Sequence, residues 1–488
     1  LLLLLCASGF YGSYAQERLI KGKITDENNS PLSGATITLK STSVSTTSSA
    51  DGSFQIDISN QANPVLQISF VGYLQREYPV RGRSDISIRL DREESSLGDV
   101  VVVGYGVQKK SDITGASSTV TAKEISKRPL VRLEQALQGT TSGVYVISPN
   151  GQPGQGLRVK IRGANSITGS TEPLYVIDGI IGSGSDVNVN DVASIEVLKD
   201  AASTAIYGSR GSNGVVLIST KSGATGRAKV GVSGWVRHDQ MPKELDLMGP
   251  YDFARAVNSQ FIAQGSAADF TDQQLSDFKS GAVKGTDWQR ALHTKAWVQN
   301  YQVDLSGGSD AVKYYLSAAY LDQPGIMLNQ WFKRPSFRSN VDIRVNDRLN
   351  IKFNVTASIP QSHNNDYGGG LGDPFNQAVE WDPTSPIRDA NGKWITHSKY
   401  ASIQFNPIAE AESRVHDDIS TNVSGMATIN YRILKDLSFT STDVYSLGLE
   451  YRQHLDGPGT SDYDSKNDNA QVYASRGRGV QTSNERTY

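Results

Sequence analysis

Residues able to do chemistry are plentiful in this 488-residue chain, yet their spacing fits no catalytic task. The six histidines (His238, His293, His363, His397, His416 and His454) are scattered, with no His-Glu-x-x-His and no other metal-ligand spacing. Cys6 is the single cysteine and lies in an apolar N-terminal stretch, so the mature chain is expected to have no disulfide, thiolate nucleophile or Cys-ligated metal. Gly208-Ser-Arg-Gly-Ser-Asn-Gly214 looks superficially like a phosphate-cradling loop. It lacks the Walker lysine and the dinucleotide spacing, so tight turns explain its glycines better. Asp178-Gly179 likewise reads as a turn before it reads as a catalytic acid. The expectation is no catalytic residue, no metal and no cofactor.

One segment carries chemistry of another kind. Asp99, Val100, Val101, Val102, Val103, Gly104, Tyr105 and Gly106 follow a polar, charged stretch, 91–98, that reads as a flexible linker. Four consecutive valines favour an extended strand and leave both of its faces apolar. Such a run is either an ordinary buried strand or a detachable one. A detachable strand on a tether can add to the exposed sheet edge of another protein through main-chain hydrogen bonds.

The elements around these residues fall into blocks. Leu1–Phe10 is apolar, and Ser13 and Ala15 would occupy −3 and −1 of a cleavage site before Gln16, so residues 1–15 read as a partial signal peptide. Cys6 invites a lipoprotein reading, but the better cleavage site lies downstream of it. Residues 17–92 carry short strand-like runs (Leu19–Ile24, Ala35–Leu39, Phe54–Ile58, Val65–Phe70, Ile86–Leu90) separated by turn chemistry such as Asp51-Gly52. A small β-sandwich is expected there. Residues 93–111 hold the linker and the valine segment.

Residues 112–225 read as a mixed α+β module. Short strands are expected at Gly143–Ile147, Leu157–Ile161, Leu174–Asp178, Ile195–Leu198 and Gly214–Ser219. A helix over Val131–Gly139 and another over Asp200–Tyr207, with Asp200 as N-cap and Gly208 as stop, complete it.

From 226 to 488 the pattern changes to long alternating strands. Ile351, Phe353, Val355, Ala357 and Ile359 share one face, and Val341–Val345 pairs with that strand through Asn346-Asp-Arg348. Further strands are expected at Val230–Arg237, Trp297–Ser306, Lys313–Leu321, Val423–Ile433 and Leu437–Tyr445. Trp235, Trp297, Tyr301, Tyr314 and Tyr320 suit aromatic girdles at membrane interfaces. Long Gly- and Asn-rich inserts at 239–295 and 361–418 suit extracellular loops. Trp331, Tyr367, Trp381, Trp394 and Tyr400 are conceivable sugar platforms within the second half, though packing is the better reading for each.

Net charge is −2, so no bulk electrostatics point to nucleic acid. Mean hydropathy is −0.38, which does not exclude a transmembrane barrel, because lipid-facing and lumen-facing residues average out along each strand. Beyond the leader no stretch approaches the ~18 apolar residues of a spanning helix. About seven or eight barrel strands are legible by alternation. Plugged barrels have about 22, so the chain reads as truncated within the barrel.

A dense, ordered block decides between a soluble sandwich and a barrel. It comprises Arg158–Asn165 with Arg162 and Gly163; Pro173–Ile180 with Asp178 and Gly179; and Ser194–Lys221 with Glu196, Lys199, Asp200, Tyr207, Gly208, Arg210, Gly211 and Gly214. It resembles the plug of TonB-dependent outer-membrane transporters of the SusC/RagA type. The sandwich resembles the carboxypeptidase-regulatory-like domain that precedes many such plugs, and Asp99–Gly106 resembles their TonB box. The fold implied is mainly β: a small β-sandwich, an α+β plug and the first strands of an antiparallel transmembrane β-barrel. The resemblance implies energy-coupled import of an oligosaccharide or peptide across the cell outer membrane, with the N-terminal domain and TonB box in the periplasm. Implied partners are the periplasmic C-terminal domain of TonB, a SusD-like surface lipoprotein, outer-membrane lipid and the cargo, with no nucleic acid. The alternatives are a siderophore or cobalamin receptor and a non-transporting surface binding protein, with an enzyme last.

Overall fold

The computed structural model describes residues 18–487 except 28, 41, 43, 60–62, 71–72, 92–99, 104–105, 110–116, 164–169, 365–372, 401–404 and 461–470. The leader, Asp99, Gly104, Tyr105 and Tyr367 lie outside the described residues. The chain divides into two compact units.

The first unit is a sandwich of short strands: β1 (Leu19–Thr25), β2 (Thr36–Leu39), β3 (Ser45–Thr47), β4 (Ser53–Asp57), β5 (Val65–Ser69), β6 (Arg76–Pro79) and β7 (Asp85–Arg89). One sheet runs β4-β1-β7 and the other β3-β2-β5-β6. Each inner strand buries alternate residues, as a sheet with one dry face must. Ile20 and Ile24 of β1 meet Ile37, Leu39, Phe54, Ile56, Leu66, Ile68, Ile86 and Ile88 in a single apolar core. β3 and β6 escape sequence reading because Ser-Thr-Thr and Arg-Glu-Tyr-Pro show no apolar alternation. Next come β8 (Val100–Val103) and β9 (Gly106–Lys109), which pair with each other in a sheet of two.

The second unit begins with an α+β module. Its elements are β10 (Ser117–Thr121), α1 (Ala122–Ile125), β11 (Val144–Ile147), β12 (Arg158–Ile161), β13 (Leu174–Ile177), β14 (Ile180–Gly182), β15 (Val192–Leu198), α2 (Ala201–Thr204) and β16 (Val215–Thr220). The main sheet is ordered β10-β15-β16-β13-β14, and β11-β12 form a hairpin. β15 and β16 occupy the middle because they are apolar on both faces; Ile195, Val197, Val216 and Ile218 are buried with Leu133, Leu137 and Ile161.

A long-stranded sheet follows: β17 (Gly226–Asp239), β18 (Ala296–Gly308), β19 (Val312–Pro324), β20 (Trp331–Arg344), β21 (Leu349–Ser358), β22 (Gln361–Asn364), β23 (Arg414–Leu434), β24 (Leu437–Asp456) and β25 (Gln471–Thr487). Neighbours are antiparallel, in the order β17-β18-β19-β20-β21-β23-β24-β25. β22 continues β21 between the same two neighbours, interrupted at Pro360, whose ring nitrogen has no proton for the ladder.

This sheet is inside out relative to a soluble one. Val232, Val303, Ala318, Phe337, Ala357, Val423 and Leu447 stand opposite one another across seven strands. The adjacent row reads Gly231, Asp304, Ser317, Arg338, Thr356, Ser424 and Ser446. On the apolar face Val232 is 78% and Val303 51% exposed; on the polar face Arg338 is 4% and Gln302 2% exposed. Water would reject that arrangement, whereas hydrocarbon outside and protein inside favour it. Among the described residues no helix is long and apolar enough to cross a membrane. Every expected long strand lies in this sheet, with Val345 and Ile359 one residue beyond their strand ends. β20 starts at Trp331 and β23 at Arg414, well before their alternation becomes clean, so part of the 361–418 insert is strand. Trp235 corrects the girdle expectation. It lies on the inner face, packed against Val131, Val298, Leu321 and Phe332, while Trp297, Tyr301 and Tyr320 are exposed on the outer face.

Connections at one end of the sheet are short. At the other end, α3 (Pro250–Ala263), α4 (Asp272–Ser280) and α5 (Trp288–Leu292) fill one insert, and α6 (Pro374–Glu380) and α7 (Pro407–Ser413) fill another. The two inserts are packed on each other through Trp288, Leu292, Ala378, Trp381, Ile408 and Ala411.

Candidate functional site

The α+β module lies on the inner face of the long-stranded sheet, and the seam between them is mostly polar. Its first centre is Asp178. Asp178 and Gly179 form the tight turn from β13 to β14, both at positive φ (49° and 93°), a conformation that asparagine-like residues and glycine accept best. The turn aims the Asp178 carboxylate along β16, where it accepts hydrogen bonds from Thr220 N (2.9 Å) and Thr220 Oγ1 (2.8 Å). The Arg338 guanidinium of β20 pairs with the same carboxylate and donates to Thr356 Oγ1 at 3.0 Å. Asn340, two residues along, donates to Thr220 Oγ1 (3.0 Å) and to the Lys221 carbonyl (2.7 Å).

The second centre is the 3₁₀ turn Val189–Asp191, which leads into β15. Asn188 donates to Gln302 Oε1 at 3.0 Å, and Asn190 donates to Asn300 Oδ1 at 2.9 Å. Asp191 Oδ1 accepts from Gln302 Nε2 at 3.0 Å and from the Tyr315 hydroxyl at 2.9 Å. Burial pushes the Asp191 carboxyl up from its ordinary range, against the opposing pull of its hydrogen bonds. A third contact needs glycine. Gly154 sits at φ 74°, donates to Gln323 Oε1 at 3.2 Å, and leaves so little room that a Cβ there would lie 2.2 Å from the Phe332 ring.

The remaining block residues are architectural in place. Arg162 and Gly163 end β12 at positive φ. Glu196 is buried in β15, and Lys199 donates to Ser118 Oγ of β10. Burial lowers the Lys199 ammonium, with the nearby Arg162 charge adding to the effect. Asp200 caps α2 by accepting from Ser203 N at 2.9 Å. Gly208 breaks the helical run, as expected: its backbone is non-helical at φ 60°, with Tyr207 in the turn before it and Arg210 in the turn after it. Gly214 needs its missing side chain, since a Cβ would lie 2.8 Å from Ile161 Cδ1. The aromatic residues of the second half are packed: Trp381 is buried against Trp288, Tyr400 against Phe270, Trp394 under the Arg388 guanidinium and Trp331 against His363.

Of the residues singled out from sequence, Asp178 bonds across the seam, and Trp235 joins it through its packing with Val131. Asn188, Asn190, Asp191, Thr220, Asn300, Gln302, Tyr315, Arg338 and Asn340 are seen only in the fold.

Comparison with known proteins agrees with this geometry. Residues 109–215 match the TonB-dependent receptor plug domain, and residues 20–103 match the CarboxypepD_reg-like domain. A TonB-dependent receptor of Formosa agariphila is 34% identical over 446 residues, covering 89% of this chain and 43% of that protein. The TonB-dependent receptor SusC of Bacteroides thetaiotaomicron is 31% identical over 491 residues, covering 93% of this chain and 46% of SusC. The chain belongs to the SusC-like TonB-dependent receptors. The solved structure of the RagAB peptide importer in its open-open state superimposes on this receptor with a TM-score of 0.64 at 26% identity, covering 74% of this chain and 44% of that one. The receptor sequence described here spans less than half the length of these relatives. In family terms the α+β module is the plug, the long-stranded sheet is barrel wall, and the seam is the plug–wall interface.

Proposed function

We propose that this receptor imports an oligosaccharide or peptide across the outer membrane, with the plug as gate and TonB as energy source. The observation that carries the reading is the plug seated by buried hydrogen bonds on the polar face of a sheet whose other face is apolar. A plug held by such contacts opens rarely by thermal motion, so an external energy input is needed. Residues Asp99–Gly106 are the proposed TonB box. Support comes from Val100–Val103, which among the described residues pair with Gly106–Lys109 in a sheet of two, leaving strand edges for the periplasmic C-terminal domain of TonB. A SusD-like surface lipoprotein is the proposed capture partner, by likeness to SusC and to the RagAB importer. The domain division follows: sandwich 17–92, linker and box 93–111, plug 112–225 and barrel wall 226–488, with sandwich and box in the periplasm.

The test is growth of the source organism carrying the full-length gene or the same gene lacking Val100–Gly106. Glycans, peptides, and iron or cobalamin sources are supplied in turn. A defect confined to one glycan or peptide is expected. A defect confined to iron or cobalamin would replace the cargo class, and equal growth on every source that requires the intact gene would remove the energy-coupling role.

A further inference from the structure

We propose that His416, His454 and Asp456 form a binding site for a divalent transition-metal ion of the zinc class, on the inner face of the barrel wall at the end that carries the long inserts. The proposal stands apart from the import reading. His416 of β23 and His454 of β24 are direct cross-strand partners. Asp456, two residues along β24, shares their face, which is the face of the fully buried Arg414. Facing positions on antiparallel strands bring Cβ atoms to about 4.5–5.5 Å, so two imidazoles placed there share one space. The ring centroids are 3.5 Å apart and the two Nε2 atoms 2.7 Å apart. Two neutral rings in that position share a single proton between two lone pairs; an ion between them engages both. Asp456 Oδ2 lies 3.4 Å from His454 Nε2, and one donor atom from each of the three residues falls within 4.8 Å of the others.

The donor set selects the ion. Two imidazole nitrogens and one carboxylate oxygen are borderline donors suited to Zn²⁺, whereas Ca²⁺ and Mg²⁺ require oxygen shells. The carboxylate is also oriented as metal carboxylates are. Its other oxygen, Oδ1, accepts from Arg414 Nε at 3.0 Å, and Arg414 pairs at 2.9 Å with the fully buried Glu410 of α7. Glu410 offsets the Arg414 charge and leaves that of Asp456 for the ion. His454 is 35% exposed at its side chain, so a fourth coordination position is open to water. The bound ion would staple β23 to β24 beside α7. The three ligands were invisible to spacing rules because strand pairing, not sequence proximity, joins His416 to His454.

The experiment uses the full-length receptor, purified in detergent and stripped with chelator. It is titrated with ZnCl₂ by calorimetry and with CoCl₂ by visible absorption. Expected are one Zn²⁺ per chain, a tetrahedral-type Co²⁺ spectrum, and affinity at least ~10-fold weaker in His416→Gln and in His454→Gln. His238→Gln, on the outer face, should bind as the parent does. Equal melting temperatures of all variants in chelator, with Zn²⁺ raising that of the parent alone, separate loss of the site from loss of fold. No stoichiometric Zn²⁺ binding, an octahedral oxygen-type Co²⁺ spectrum, or unchanged affinity in the His416→Gln/His454→Gln double variant would overturn the proposal.

Discussion

Asp178 shows how one side chain can serve two structures at once. It closes a hairpin at a backbone conformation few residues accept, and it offers the carboxylate on which β16 and the wall meet. Arg338→Ala would leave that carboxylate without its cation in a largely dry seam. Loss of one partner of a buried pair costs about 3–5 kcal/mol, so the urea midpoint for plug release, followed by limited proteolysis, should fall clearly while the wall stays folded. Arg338→Lys should fall between parent and Ala, because a point charge cannot serve Asp178 and Thr356 together. Asp191 predicts a pH effect. Its carboxyl is raised by burial, so its neutral form is the better fit. Its contribution to plug docking is fully present below the unfolded carboxylate range and is lost as pH rises through the raised folded value. Asp191→Asn keeps the Oδ1 acceptor and cannot ionise. Its urea midpoint should match the parent at low pH and exceed it at pH 8; a constant difference across pH would refute the assignment.

Elements were legible where their physics is local. Ile351–Ile359 shows its period of two without help from neighbours, and Asp200 announces a helix start because capping involves only the next three residues. The start of β20 was not legible. Arg334 and Arg338 disguise a strand whose inner face is polar where the plug satisfies it, and no local rule supplies a plug. Trp235 was misplaced for the same reason: alternation gives two faces without saying which is wet. The seam residues pair over more than a hundred positions, beyond any local signal. The outer row makes its own prediction. Phe337→Lys puts a charge in the middle of the apolar band, at a cost of about 2–4 kcal/mol near the bilayer midplane. Less folded receptor should reach the outer membrane, seen as loss of the heat-modifiable gel band, whereas Ser336→Lys on the inner row should insert normally.

At the scale of the whole molecule, the two faces of the wall divide the labour: the apolar one belongs to lipid and the polar one to the plug. The plug itself has an uneven build. Among the described residues β10 is an edge strand, with β15 as its one neighbour and five residue pairs between them, and it is the first described plug element after the valine segment. Tension carried along the chain from the valine segment reaches β10 before the other described plug strands. Drawn away from β15, an antiparallel edge peels rung by rung, so the peak resistance is that of one or two hydrogen bonds and not of a sheet. The fold thus contains a candidate tear strip: an edge strand of the plug sheet is the described plug strand nearest in sequence to the valine segment.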